Sequence, residues 1–200
     1  KLALPGVFEA GQKLGTATTT VEPTSVAIKA GGTAELSIDP AMAAKLQSLF
    51  VAVNPIAPAE HPGAFTFPIG GGTLALGPGI PASGLKTNGA LELIQIGGGQ
   101  VFARELEFDL SDSVANGESQ LVLAGAAPGP TQGGALLGLG AAAPSTEPAA
   151  RTIAVAGLPL TLEPATAQAF NEAFARPLGR PDSFAAGETI GQVSFTAQAE

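Results

Sequence analysis

The feature that most restricts this chain is a strand–proline–helix unit that occurs twice. In Gly157 to Ala197, Leu158, Leu160 and Leu162 alternate on one face, and Pro164 then opens a helix whose stripe carries Thr166, Phe170, Ala173 and Phe174. Earlier, Ala34, Leu36 and Ile38 alternate in the same way. Asp39 is placed there to cap a helix, and Pro40 takes the first helical position, where its missing N–H costs nothing. Met42, Leu46, Leu49 and Phe50 form the stripe of this copy. Strand parity, proline and helix face coincide, so both copies are expected to adopt the same local structure.

A second echo has a different spacing. The segment FAAGETIG at Phe184 to Gly191 is matched by FEAGQKLG at Phe8 to Gly15. If both mark the end of a module, residues 1–24 are the end of a preceding repeat or an N-terminal strand, and residues 25–200 form one complete β domain. A single domain whose two edges use similar β-turns fits the same pattern. A start at Lys1, without methionine or signal peptide, is expected of a piece of a longer chain.

Glycine and proline decide the fold class. Gly 27 and Pro 17 in a 200-residue chain that is 45% hydrophobic imply short apolar strands broken by many turns around a real core. The expectation is an all-β fold with two short α-helices, an antiparallel β-sandwich-like domain. Gly31-Gly32 reads as a hairpin turn between SVAIK and TAELSI, and Gly70–Gly72 and Gly97–Gly99 read as further turns. Residues 90–124 read as a meander. Within it VFARELEFDL puts Phe102, Leu106, Phe108 and Leu110 on one face, and Ala103, Glu105, Glu107 and Asp109 on the other.

Charge excludes several functions. The net charge is −8, and the nine Lys and Arg are scattered singly, so nothing gathers phosphates or an anionic membrane surface. Nucleic acid is not an expected partner. No apolar run reaches the roughly 20 residues that cross a bilayer, so no membrane insertion is expected of this segment. With Cys 0 there are no disulfides, thiolate nucleophiles or cysteine metal sites.

Little catalytic chemistry is left. His61 is the one histidine, and its context Glu60-His61-Pro62-Gly63 is that of an exposed turn. Glu105 and Glu107 would stand about 6–7 Å apart on a regular strand, a spacing used by glycosidases. With no Trp and no Tyr to carry a sugar, they read as a solvated acidic face. Asp109, Asp112, Asn116 and Glu118 around Gly117 loosely suit calcium, and a polar β-turn explains them equally well. Met42 sits on a buried stripe, where a thioether fills core. The chain is not expected to be an enzyme.

The order of segments resembles the HtaA family, the haem-uptake conserved-region domains of actinobacterial cell-surface proteins. It runs from a strand–helix unit to FTFPI with a glycine stretch, a Gly-Ala-Leu lead into LELIQI, a meander, then LPLTLEPATAQAFNEAF and FAAGETIGQVSFTA. The resemblance covers most of Thr33 to Thr196. It implies a β-rich fold with small helices, secretion, tandem repetition and a cell-wall or extracellular location. It also implies that haem-binding members carry a tyrosine iron ligand and a supporting histidine before the Gly-Ala-Leu segment. This chain has no tyrosine, and Lys86, Thr87 and Asn88 stand where that histidine belongs.

The expected function is therefore a non-catalytic module of a secreted actinobacterial protein, structural or partner-binding, whose partners are neighbouring repeats or a surface component. The alternative is binding of haem or a small apolar ligand, with His61 or Met42 as the available iron ligands.

Overall fold

The computed structural model describes residues 25–61, 63–75, 84–141, 145–147 and 151–200. The FEAG segment at Phe8 to Gly15 and the reading of residues 1–24 lie outside them. In chain order the elements are β1 (Ser25–Ile38), α1 (Pro40–Ser48), β2 (Val51–Ile56), β3 (Phe65–Ala75), β4 (Gly84–Thr87), β5 (Ala90–Gln95) and β6 (Gln100–Asp109). They continue with β7 (Val114–Val122), β8 (Thr131–Leu139), β9 (Ser145–Glu147), β10 (Thr152–Leu162), α2 (Pro164–Phe170) and β11 (Thr189–Ala199).

The two strand–proline–helix units form as the sequence predicts. Asp39 is extended and its carboxylate accepts the Ala41 N–H at 2.8 Å, while Pro40 and Pro164 open α1 and α2. Their placement explains the repetition. β1 and β10 lie on opposite sides of β11, both antiparallel to it, so they run parallel to one another. Gly191 stands opposite both Ile38 and Leu160, and both helices therefore leave the sheet at the same end. There α1 and α2 build a cap.

The sheet closes. Strands pair in the order β6-β4-β3-β1-β11-β10-β8-β7, and β7 pairs back onto β6, giving a closed antiparallel barrel of eight strands. The β-sandwich expected from the sequence is not formed, and the glycines are the reason. Gly31-Gly32 is not a hairpin turn but a bulge inside the 14-residue β1, and Gly70–Gly72 is a bend inside β3 rather than a turn after it. At Gly32, with φ 91°, a Cβ would run into the Thr196 carbonyl of β11. Bulges of this kind bend and coil long strands, and coiled strands close where flat ones stack. Gly97–Gly99 is a true turn, with the Gln95 N–H bonded to the Gly99 carbonyl at 3.0 Å.

Side chains fill the barrel, as a wall of eight strands requires. Phe108 of β6 and Phe195 of β11, four strands apart around the wall, meet edge to face at 4.9 Å between centroids. Phe67, Leu85 and Leu160 are fully buried around them.

One edge of the wall is split. The first half of β6 pairs β5 and its second half pairs β4, with the register shifting between Arg104 and Glu107. Beyond this split β5 carries β2 outward, and β2 has β5 as its only ladder partner among the described strands. The helical cap covers the gap.

An apolar slot under the helical cap

Where β5 and β2 peel away from the barrel, the cap and the sheet enclose a slot of about 80 Å³. Leu36 and Ile38 reach it from β1, Met42 and Leu46 from α1, Leu93 from β5 and Phe170 from α2. Among the described residues only Ser119 and Thr166 bring polar side chains to its wall. The Thr166 hydroxyl donates to the Leu136 carbonyl at 2.7 Å, so its polarity is spent on the backbone.

Two polar arrangements hold the slot in shape, and the sequence reading passed over both. The Gln95 amide is buried and donates to the carbonyls of Leu49 at 2.8 Å and Phe174 at 2.7 Å, tying the end of α1 to the turn after α2. That turn, Asn171–Ala175, winds as a π-helix and continues into a 3₁₀ turn at Arg176–Leu178. The FAAGETIG segment then folds back over the cap. Asn171 exchanges hydrogen bonds with the Phe184 backbone at 2.7 and 2.9 Å, and the Phe184 ring meets Phe170 edge on at 5.3 Å. Lys45 of α1 joins it by an ion pair with Glu188, a bond to the Ser183 carbonyl at 2.9 Å and a place over the Phe184 ring. A glutamine at the apolar parity of LELIQI was the visible signal for the first arrangement.

Further concavities adjoin the slot. On one side an exposed hollow of about 360 Å³ carries Phe50 and Ile96, 63% and 85% exposed, and shares Ile38, Leu46 and Val53 with the slot. Phe50 was expected on the buried stripe of α1. It falls after the helix at φ 58°, which turns the chain into β2 and faces the ring outward. Beside this hollow a groove of about 330 Å³ runs past His61 and shares Leu36, Ile38 and Val53 with the slot. At the far end a mouth of about 390 Å³ between α2 and β7 shares Val101, Ser119 and Ala169 with it.

The sequence-derived site residues are scattered. His61 is exposed and stacks flat on Phe65, with centroids 4.1 Å apart and planes 5° from parallel. Met42 is buried and faces the slot. Glu105 and Glu107 do not occupy matching places on a regular strand face, because Glu105, at φ 50°, sits in the β6 bulge. The bulge also reverses strand parity, so Val101 is buried before it and Leu106 and Phe108 after it. Glu107 lies 3.9 Å from the exposed Lys86 ammonium.

Asp109 organises a turn. Its Oδ1 accepts from the Ser111 hydroxyl at 2.6 Å, the Ser111 N–H at 3.0 Å and the Asp112 N–H at 3.1 Å. Burial raises its pKa, and these three hydrogen bonds together lower it further, leaving it below the ordinary aspartate value. Among the described residues no three His, Cys, Asp or Glu converge as a metal site.

A haem in the slot can be tested against these walls. Ligand sites of molecular size enclose about 300–1,000 Å³, far more than the slot, and among the described residues no imidazole, phenol or carboxylate lines it, the Met42 thioether being its one potential iron ligand. The slot does not fit a porphyrin with an axial nitrogen or oxygen ligand. The groove beside His61 is roomier and apolar on Leu36, Ile38 and Val53, and its one imidazole stacks on Phe65.

An eight-stranded antiparallel barrel with a two-helix cap over an apolar slot thus defines the class of structure. As a sequence the chain matches no family model and no curated protein. Its fold is similar to solved domains from Corynebacterium glutamicum. The C-terminal domain of HtaA superposes with a TM-score of 0.58 over 88% of this chain and 99% of that domain, at 12% identity. The N-terminal domain of HtaA gives 0.56 over 86% and 99%, also at 12% identity. The heme-binding protein HtaB gives 0.56 over 88% and 96%, at 10% identity. The chain has an HtaA-like fold.

Proposed function

We propose that this chain is a non-catalytic extracellular module of the HtaA type that binds a small apolar ligand under its helical cap, with no nitrogen or oxygen iron ligand there among the described residues. The observation that carries this reading is the slot itself: a space with almost wholly apolar walls between sheet and cap, whose two helical segments are tied together by Gln95. Left empty, such a volume forfeits dispersion contacts and destabilises the fold. The likeness to HtaA and HtaB domains supports a place among secreted, haem-uptake-related surface proteins, and the chain's lack of tyrosine supports a changed ligand.

Isothermal titration with toluene tests it. Saturable binding is expected in the wild type and its loss in Ala169→Leu, which fills the slot from α2, with circular dichroism confirming that the variant folds. Equal heats in both proteins would remove the slot as the site.

A second reading keeps haem, bound in the groove beside His61, because that groove sets an accessible imidazole beside Leu36, Ile38 and Val53. A haemin titration followed at the Soret band separates the two. Saturable binding abolished by His61→Ala would support haem.

A further inference from the structure

The two ends of the slot differ in polarity, and the difference selects a class of ligand. At the Phe50 and Ile96 end the walls are apolar. At the α2–β7 end the mouth carries Ser119, Gln120, Gln132, Gln168 and Glu172. Slot and mouth meet at Val101, Ser119 and Ala169. A molecule lying through that throat has one end in hydrocarbon and the other in a mixed wall, where amides stand beside Leu121 and Leu123.

Charge narrows the choice. Among the described residues no lysine or arginine lines the mouth, and its one ionisable side chain is the half-buried Glu172, which accepts the Gln168 amide at 3.0 Å. An anionic head would sit beside a carboxylate with no cation to offset it, and a cationic head would gain a single solvent-screened pair with a carboxylate that Gln168 already bonds. Amide side chains each offer a donor and an acceptor, which suits hydroxyl groups. The Gln120 amide shows the donor side by bonding the Gly129 carbonyl at 3.0 Å.

Size sets the chain. At about 10–15 Å³ for each water-sized group, the slot's 80 Å³ holds about five to eight such groups, a short stretch of alkyl chain.

We infer that the ligand is a single-chain amphiphile with an uncharged, hydroxylated head, its alkyl chain in the slot and its head against Gln120, Gln168 and Glu172. This rests on the reading of the slot as an apolar ligand site, and adds the head-group chemistry and the orientation.

The experiment compares monooctanoylglycerol, octanoate and octyltrimethylammonium by isothermal titration at neutral pH, with toluene as the headless control. The glycerol ester is expected to bind at least about tenfold more tightly than octanoate. Glu172→Gln is expected to close most of that gap by improving octanoate. Ala169→Leu at the throat, and Ala103→Leu from the opposite wall as a second plug, are expected to weaken the ester by at least about tenfold.

Octanoate matching the ester, a Glu172→Gln protein with an unchanged ratio, or tighter binding of the ammonium would each overturn the head-group inference. Toluene binding without ester binding would overturn the amphiphile and leave the slot reading standing. Failure of toluene as well would overturn the slot reading itself.

Discussion

The body of the barrel and its capped end are made of the same kinds of residue and packed to different purposes. In the body every strand has neighbours on both sides, and rings such as Phe108 and Phe195 meet across the axis. At the capped end β6 divides its edge between β4 and β5, β2 stands at a margin, and helices rather than strands complete the wall. A closed sheet can be filled by side chains alone. An opened one needs helices, and helices on a curved sheet leave the space that this chain keeps as a slot.

Damage confined to one region should leave the other intact. Phe108→Ala removes a fully buried ring from the body and is expected to cost about 3–5 kcal/mol, read as a large fall in the denaturation midpoint. Molecules that remain folded should still bind toluene. Loss of binding in the folded fraction would show that body and cap are one packing unit.

Gln95→Leu attacks the cap. It leaves the Leu49 and Phe174 carbonyls without that donor, at about 1–3 kcal/mol for each group orphaned. Ligand affinity should fall more steeply than in Phe108→Ala at a comparable loss of stability. Titration and melting on the same samples make the check.

Gly32→Ala tests closure. Its φ and the approach of the Thr196 backbone leave no place for a Cβ, so the β1–β11 pairing must shift, with backbone strain of about 1–3 kcal/mol. Amide exchange should quicken along β1 and β11 before it quickens in the cap. Uniform acceleration would refute a bulge-specific role.

Asp109 gives the smallest effect. Its folded pKa is depressed, so its contribution is complete above the ordinary aspartate value and is lost as the pH falls through the lower folded value. Asp109→Asn should flatten the acid limb of the stability curve and leave the pH dependence near neutrality unchanged. Urea midpoints across the acid range measure it.

Much of the capped end was legible because its signals are local. Asp39 before Pro40, Pro164 after Leu162, and the stripes of Met42, Leu46, Phe170 and Phe174 each depend on near neighbours in sequence. Closure was not legible. A glycine pair at positive φ serves a hairpin turn or a strand bulge equally well, and at Gly31-Gly32 the choice is made by β11, far along the chain. Reading those pairs as turns shortened the strands and suggested a sandwich. The alternation in VFARELEFDL failed for a related reason, since one bulged residue at Glu105 moves every later side chain to the other face.

The slot itself was invisible, because it is a space between elements and no residue type announces it. Met42 was singled out as core filler or ligand. It is buried in the core and faces the slot.

A ligand-binding cap requires that the slot admit an apolar guest. The most direct measurement is a crystal structure of the wild type under xenon, an apolar atom that enters dry hydrocarbon cavities without a head group to direct it. The account predicts xenon density among Met42, Leu46, Leu93 and Phe170, absent in Ala169→Leu. A slot closed over by its own side chains, with xenon only on the surface near Phe50 and Ile96, would contradict it.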